Sequence, residues 1–180
     1  AGNEVEYVAD PYKCGADARY SFDSDGGVLT ITGTGATEDY TSVANTPWYE
    51  LCSQIKAVVV QSGITSVGGY AFAECENLEK VTLADTVTSI GTYAFRTDTK
   101  LTEINLENVQ LLGNSCFTGC VGLSQANLCS ARSIGEQAFT NCTGLTEVSL
   151  GSAETCVAEI GKRAFNGCTS LLRLPMSKKL

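Results

Sequence analysis

Val67-Gly68-Gly69-Tyr70-Ala71-Phe72-Ala73-Glu74-Cys75-Glu76-Asn77-Leu78-Glu79-Lys80-Val81-Thr82-Leu83 is the stretch on which the reading of this chain turns. Its outline returns as Ile90-Gly91, Ala94-Phe95, Leu101, Ile104 and Leu106, and again as Leu112-Gly113, Cys116-Phe117, Cys120, Leu123, Ala126 and Leu128. Two further copies run Ile134-Gly135, Ala138-Phe139, Cys142, Leu145, Val148, Leu150 and Ile160-Gly161, Ala164-Phe165, Cys168, Leu171, Leu174, Met176. Phe72, Phe95, Phe117, Phe139 and Phe165 are spaced by 23, 22, 22 and 26 residues. A half copy, Ile55, Val58, Val60, Ile64 and Val67, stands 23 residues before Leu78, Val81, Leu83, Val87 and Ile90. Five and a half units at a nearly fixed period mark a solenoid, in which each unit buries its apolar side only against its neighbours.

The physics of one unit follows from its residues. Val81-Thr82-Leu83 alternates apolar and polar, the period-two sign of a strand with one buried face. Val87-Thr88-Ser89-Ile90 reads as a second short strand on another side. The Gly after each Ile or its equivalent (Gly68, Gly91, Gly113, Gly135, Gly161) marks a turn or a close backbone approach. The Ala-Phe pair that follows predicts a short helical turn dropping both side chains into the core.

The shape Ile-Gly-x-x-Ala-Phe-x-x-Cys-x-x-Leu-x-x-Val-x-Leu resembles the BspA-type leucine-rich repeats of bacterial surface and secreted proteins, over about residues 55–180. The stretch with Cys14-Gly15, Phe22 to Gly33 and Pro47-Trp48-Tyr49 is similar to the cap that precedes such arrays. The chain departs from the pattern at Asp98, which replaces Cys, at Cys116, which replaces Ala, and around Ser152 to Cys156, where residues are added. The fold expected is an α/β, right-handed leucine-rich-repeat solenoid of short strands and helical turns. Residues 1–54 form an acidic β cap, and residues 55–180 one continuous array. The resemblance implies secretion or display at a cell surface. Residues 1–10 are acidic and polar and show no signal-peptide pattern, which fits a mature or trimmed chain or a cytoplasmic one.

Composition agrees with this and excludes several kinds of chemistry. The 180 residues carry 12 Lys+Arg against 20 Asp+Glu, a net charge of −8, and are 43% hydrophobic. Residues 1–54 hold nine of the 20 acids and only Lys13 and Arg19, a net of −7, so the array is nearly neutral. Tyr20, Phe22, Leu29 and Ile31 flank Asp23-Ser24-Asp25-Gly26-Gly27 as a β-hairpin. The Asp-Ser-Asp-Gly start of a calcium loop is here a hairpin turn, because the position of the required Glu is Thr34. There is no surplus of cations to bind nucleic acid, and no apolar run long enough to span a membrane.

Nine cysteines and no histidine leave few routes to catalysis. Histidine is the commonest general base and metal ligand, and no GxSxG motif or phosphate loop occurs. Cys75, Cys120, Cys142 and Cys168 recur at one repeat position and are expected as buried structural thiols. Side by side and parallel, they approach each other poorly for disulfides. With Phe72, Phe95, Phe117, Phe139 and Phe165 they form the structural ladder. Cys116, Cys120 and Cys129 lie close in sequence, but three cysteines without histidine are a weak zinc signal. Cys14 with Cys52 is the pairing expected if the protein is exported. Glu103 and Glu147, about 9–10 Å apart at the usual strand spacing, have an inverting glycosidase's separation but no enclosing pocket. No enzymatic activity, cofactor or metal is expected.

The functional expectation rests on the face opposite each buried strand residue: Lys80, Thr82, Glu103, Asn105, Gln125, Asn127, Glu147, Ser149 and Arg173. Solenoids use such a face for extended recognition, and the resemblance implies adhesion to an extracellular protein or glycan. A solvated sheet in a structural spacer is the alternative. Tyr70 and Tyr93 offer a second patch at the turns, and Trp48 a seam between cap and array.

Overall fold

The computed structural model describes residues 10–151 and 159–174. It opens with a hairpin of β1 (Gly15–Asp23) and β2 (Val28–Thr37), paired antiparallel from Asp23↔Val28 to Gly15↔Thr37. The Asp-Ser-Asp-Gly-Gly segment is its turn, closed by the Asp25 N–H donating to Asp23 Oδ1 at 3.1 Å. Two 3₁₀ turns, Val43–Asn45 and Tyr49–Gln54, lead into the array.

Each coil then lays one strand in a first sheet and the next in a second. The first sheet runs in the order β2, β3 (Ala57–Val60), β5 (Lys80–Leu83), β7 (Glu103–Ile104). The second runs β2, β4 (Ile64–Val67), β6 (Ser89–Ile90), β8 (Leu111–Leu112), β10 (Ser133–Ile134), β12 (Glu159–Ile160). Every pairing inside the array is parallel. A separate parallel pair, β9 (Gln125–Leu128) with β11 (Glu147–Leu150), continues the line of the first sheet. β2 belongs to both sheets: Val28–Ile31 pair with β3, and Gly35 and Ala36 with β4. Gly33 and Gly35, with φ of 106° and 81°, let one strand serve both. The hairpin thereby templates both faces of the first coil.

The expected helical turn at Ala-Phe does not form. Among the described residues there is no α-helix, so the strand-and-helix expectation is corrected to a solenoid of strands and turns. Tyr70, Tyr93, Ser115, Gln137 and Arg163 have φ between 54° and 59°. Four residues later Glu74, Thr97, Gly119, Asn141 and Gly167 are left-handed again. Between them the Phe N–H groups donate to the next coil, Phe72 to the Ala94 carbonyl and Phe95 to the Cys116 carbonyl, both at 2.8 Å. Alternate N–H groups divide the work: those of Arg96 and Asp98 donate three residues back to Tyr93 and Phe95, while those of Tyr93, Phe95 and Thr97 donate to the next coil, so the segment is a run of turns and not a helix.

The recurring glycines are there for close approach. A Cβ on Gly113 would lie 2.6 Å from Gly91 C and from Thr92 N. Above these joints the core is one column: Val58, Val81, Ile64, Val67, Ile90, Leu101 and Ile134 are all buried.

Candidate interaction face and the buried ladder

The parallel register builds the outward face row by row. Val28, Ala57, Lys80 and Glu103 fall in one row, and Thr30, Val59 and Thr82 in the next. β9 and β11 align Gln125 with Glu147 and Asn127 with Ser149. Lys80 Nζ lies 2.6 Å from Glu103 Oε2, and Gln125 Nε2 donates to Glu147 Oε2 at 3.3 Å. Asn105 turns back to its own sheet. Its Oδ1 accepts the Leu83 N–H at 2.7 Å, and its Nδ2 donates to the Leu83 carbonyl at 2.8 Å. Arg173 is exposed but follows the last described strand and extends no row. The half-buried Val28, Ala57 and Val59 make the face apolar near the cap. Val28 joins the face only because β2 enters the sheet, whereas Ala57 and Val59 follow from the alternation that buries Val58 and Val60.

Sequence reasoning placed the aromatic ladder inside, and the rings are stacked there. Phe72, Phe95, Phe117, Phe139 and Phe165 have successive centroids 5.6, 5.3, 5.2 and 5.3 Å apart. Trp48 is one more rung, 5.1 Å from Phe72 and parallel to it. Its indole N–H donates to the Ala71 carbonyl at 2.6 Å, and Tyr20 and Tyr40 meet it edge-on. The 24-residue interval from Trp48 to Phe72 was the signal available for this role. Tyr70 and Tyr93 pair at 4.8 Å at the turns, with the Arg96 guanidinium 5.7 Å from the Tyr93 ring centre.

The cysteines follow two rules. Cys120, Cys142 and Cys168 donate their S–H to the carbonyls of Phe95, Phe117 and Phe139, at 3.0, 3.0 and 3.1 Å. Stacked thiols here serve hydrogen bonds and not each other. Burial pushes the Cys142 thiol up to about 12 and raises Cys120 and Cys168 as well, so these are unreactive positions. Cys75 breaks the expectation, because it forms a disulfide with Cys52, with Cα atoms 5.0 Å apart. The expected Cys14–Cys52 pairing is therefore wrong. Cys14 is a free, fully buried thiol, pushed up to about 12 by burial. The physical reason is the stacking itself. Cys52 lies four residues after Trp48 in a 3₁₀ turn, one coil before Cys75, and so directly beneath it.

At the next rung stands Asp98, whose side chain is wholly buried. Its Oδ1 accepts the Cys75 N–H at 2.9 Å, while Oδ2 has no partner. Burial raises its carboxyl well above the ordinary value, and the nearby Glu74 charge adds to this. Cys116 and Cys120 are buried but Cys129 is exposed, so the three do not converge. Among the described residues no group of three or more His, Cys, Asp or Glu could hold a metal ion, and no helix is long and apolar enough to cross a membrane. The segment around Ser152 to Cys156, and Met176, lie outside the described residues.

These repeats have relatives of known structure. The BspA type Leucine rich repeat region matches residues 41–172 in six copies, and the chain belongs to that family. A leucine-rich repeat protein from Eubacterium ventriosum is 35% identical, with a TM-score of 0.61, over 76% of this chain and 39% of that one. A leucine rich cell surface protein from Faecalibacterium prausnitzii shares 19% identity over 95% of this chain and 54% of that one, with a TM-score of 0.56. The pneumococcal vaccine antigen PcpA shares 22% identity over 75% of this chain and 33% of that one, with a TM-score of 0.55. The last two likenesses show the fold alone. The chain spans 39% of the length of the Eubacterium ventriosum protein and 38% of that of a similar Bacteroides ovatus protein. No curated protein matches the sequence.

Proposed function

We propose that this chain is a non-enzymatic binding module of a bacterial surface or secreted protein, and that it engages an extracellular protein or glycan through its first-sheet face. The observation that carries this is the ordered outward rows, which put Lys80, Thr82, Glu103, Gln125 and Glu147 on one exposed parallel surface. Extended faces of stacked repeats are recognition surfaces in solenoids generally. The cell-surface description of the Faecalibacterium prausnitzii protein and the antigen description of the pneumococcal one support the location.

One observation favours a second reading, a spacer with no ligand of its own. The face's charges and amides already satisfy one another, as Lys80 does Glu103 and Gln125 does Glu147. Exposed pairs of this kind contribute little stability, typically about 0.2–1 kcal/mol, so they can be exchanged for contacts with a ligand. The test is a binding panel of extracellular-matrix proteins and glycans against the chain and its Lys80→Ala/Glu103→Ala/Gln125→Ala/Glu147→Ala variant. A ligand retained by the first and lost by the second supports a binding module. A ligand bound equally by both takes recognition away from this face, and no ligand for either leaves the spacer.

A further inference from the structure

The first sheet is interrupted once among the described residues. β7 pairs with β5 only through Glu103 and Ile104, and no main-chain pairing joins β7 to β9. After Ile104 the chain leaves β5, and the Asn105 side chain takes over the pairing with Leu83. On the far side of the molecule the same two coils stay in register. β8 pairs with β10, and Phe95 stacks on Phe117 at 5.3 Å. The interruption is therefore a notch in one face. An open hollow of about 430 Å³ lies there, lined from β5, β7 and the start of β9, with Val81 and Ile104 among its lining residues.

We propose that this notch is a binding site for a neutral saccharide. The inference rests on the reading of the first-sheet face as a recognition surface and names the ligand class for part of it. Its walls are hydroxyls and amides: Thr82, Thr102, Asn105, Ser124 and Gln125, of which the Thr102 hydroxyl and the Asn105 amide are already bonded to main chain. The charges at its rim cancel, because Lys80 is paired with Glu103. The Thr82 and Ser124 hydroxyls make no side-chain hydrogen bond to another described residue, and Gln125 gives Nε2 to Glu147 while its carbonyl oxygen stays open. The edge of β9 that faces β7 adds unpaired main-chain donors and acceptors. Sugar hydroxyls both donate and accept, so they match a wall of mixed, uncharged partners. The volume falls in the range of about 300–1,000 Å³ usual for small-ligand sites.

Other occupants fit less well. A peptide strand inserted between β7 and β9 would need two strand spacings, about 9.5 Å. The Phe95–Phe117 stack and the β8–β10 pair hold these coils at one spacing. An anion would have to displace Glu103 from Lys80, the one cation among the lining residues, and would still face that carboxylate. The hollow has no aromatic wall, so a sugar is held by hydrogen bonds and binds weakly.

The experiment is an NMR titration of the ¹⁵N-labelled chain with maltotriose, lactose and N-acetylglucosamine trimer, taken to high millimolar concentration. A Ser-Thr-rich peptide is titrated in parallel. Saturable shifts at Thr82, Glu103, Asn105, Ser124 and Gln125 with at least one sugar are expected. Gln125→Ala should weaken that sugar about tenfold, the effect of one lost hydrogen bond. Ser89→Ala on the second sheet should leave binding unchanged and controls for folding. Shifts only with the peptide, no saturable shift with any sugar, or binding indifferent to Gln125→Ala each overturn the proposal. If the sugars fail while a matrix protein is still lost in the quadruple variant, only the saccharide site falls. If both fail, the recognition face falls with it.

Discussion

Asp98 stands where three other coils place a thiol, and the exchange carries a pH dependence. The ladder thiols donate S–H to a Phe carbonyl one coil back. Asp98 accepts instead, through Oδ1 from the Cys75 N–H, and its buried Oδ2 has no partner. A buried carboxyl in this position favours its neutral form, and its folded value is raised well above 3.8. The group's contribution to stability is therefore complete below the unfolded value and is lost as pH rises toward the folded one. Asp98→Asn keeps the acceptor and adds a donor. At pH 8 it should stabilise the chain, by about 1–3 kcal/mol on the scale of an uncompensated buried polar group, because an amide carries no charge for burial to penalise. It should also flatten the fall in stability above about pH 4. Urea unfolding at several pH values checks both, and parallel pH profiles for the two proteins would refute the assignment.

At the scale of elements, stability lies in the joints between coils. Phe95 is enclosed between Phe72 and Phe117 and has no exposed surface. Phe95→Ala should destabilise by about 3–5 kcal/mol, as for buried aromatics generally. A loss below about 1 kcal/mol on denaturant titration would contradict the stacking. The Cys52–Cys75 bridge ties the last 3₁₀ turn to the first full coil across 23 residues. Loop-closure entropy for that span sets its contribution at about 3 kcal/mol. A matched drop in urea midpoint on reduction, reproduced by Cys52→Ser, is the expected result. The strands were legible in the sequence because Val81-Thr82-Leu83 alternates and its copies do too. The turns were not, since an Ala-Phe pair with flanking polar residues suits a helix equally well. Left-handed φ at Tyr93 and Thr97 goes with N–H groups at Tyr93, Phe95 and Thr97 that reach carbonyls of the next coil, a partner the sequence does not display.

At the scale of the whole molecule, a stack of coils is stable in proportion to how well each is sandwiched. The cap end is held by Trp48, by the β1–β2 hairpin and by the disulfide. Phe72 and Phe95 are each stacked on both sides, whereas the hairpin turn at Ser24 to Gly26 is exposed. Amide hydrogen exchange should therefore be slowest at Phe72 and Phe95 and fastest at that turn, because local opening follows the density of packing. Equal protection at the two places, read by mass spectrometry of native-state exchange, would refute this. Outward residues such as Lys80 and Glu103 could be named in advance, because strand alternation sets side-chain direction. Their partners could not be, because Lys80–Glu103 and Gln125–Glu147 meet only once the register is known.

By itself the sequence determined that this chain stacks. Its period, its alternating strands and its Phe and Gly positions allow burial only against copies of the same unit. The tertiary structure alone decided that Cys52 bridges to Cys75, that Trp48 begins the aromatic column, that β2 serves two sheets, and that the first sheet opens between β7 and β9. Each of these depends on which residues lie one coil apart in space, a distance that repeat spacing approximates and only packing settles.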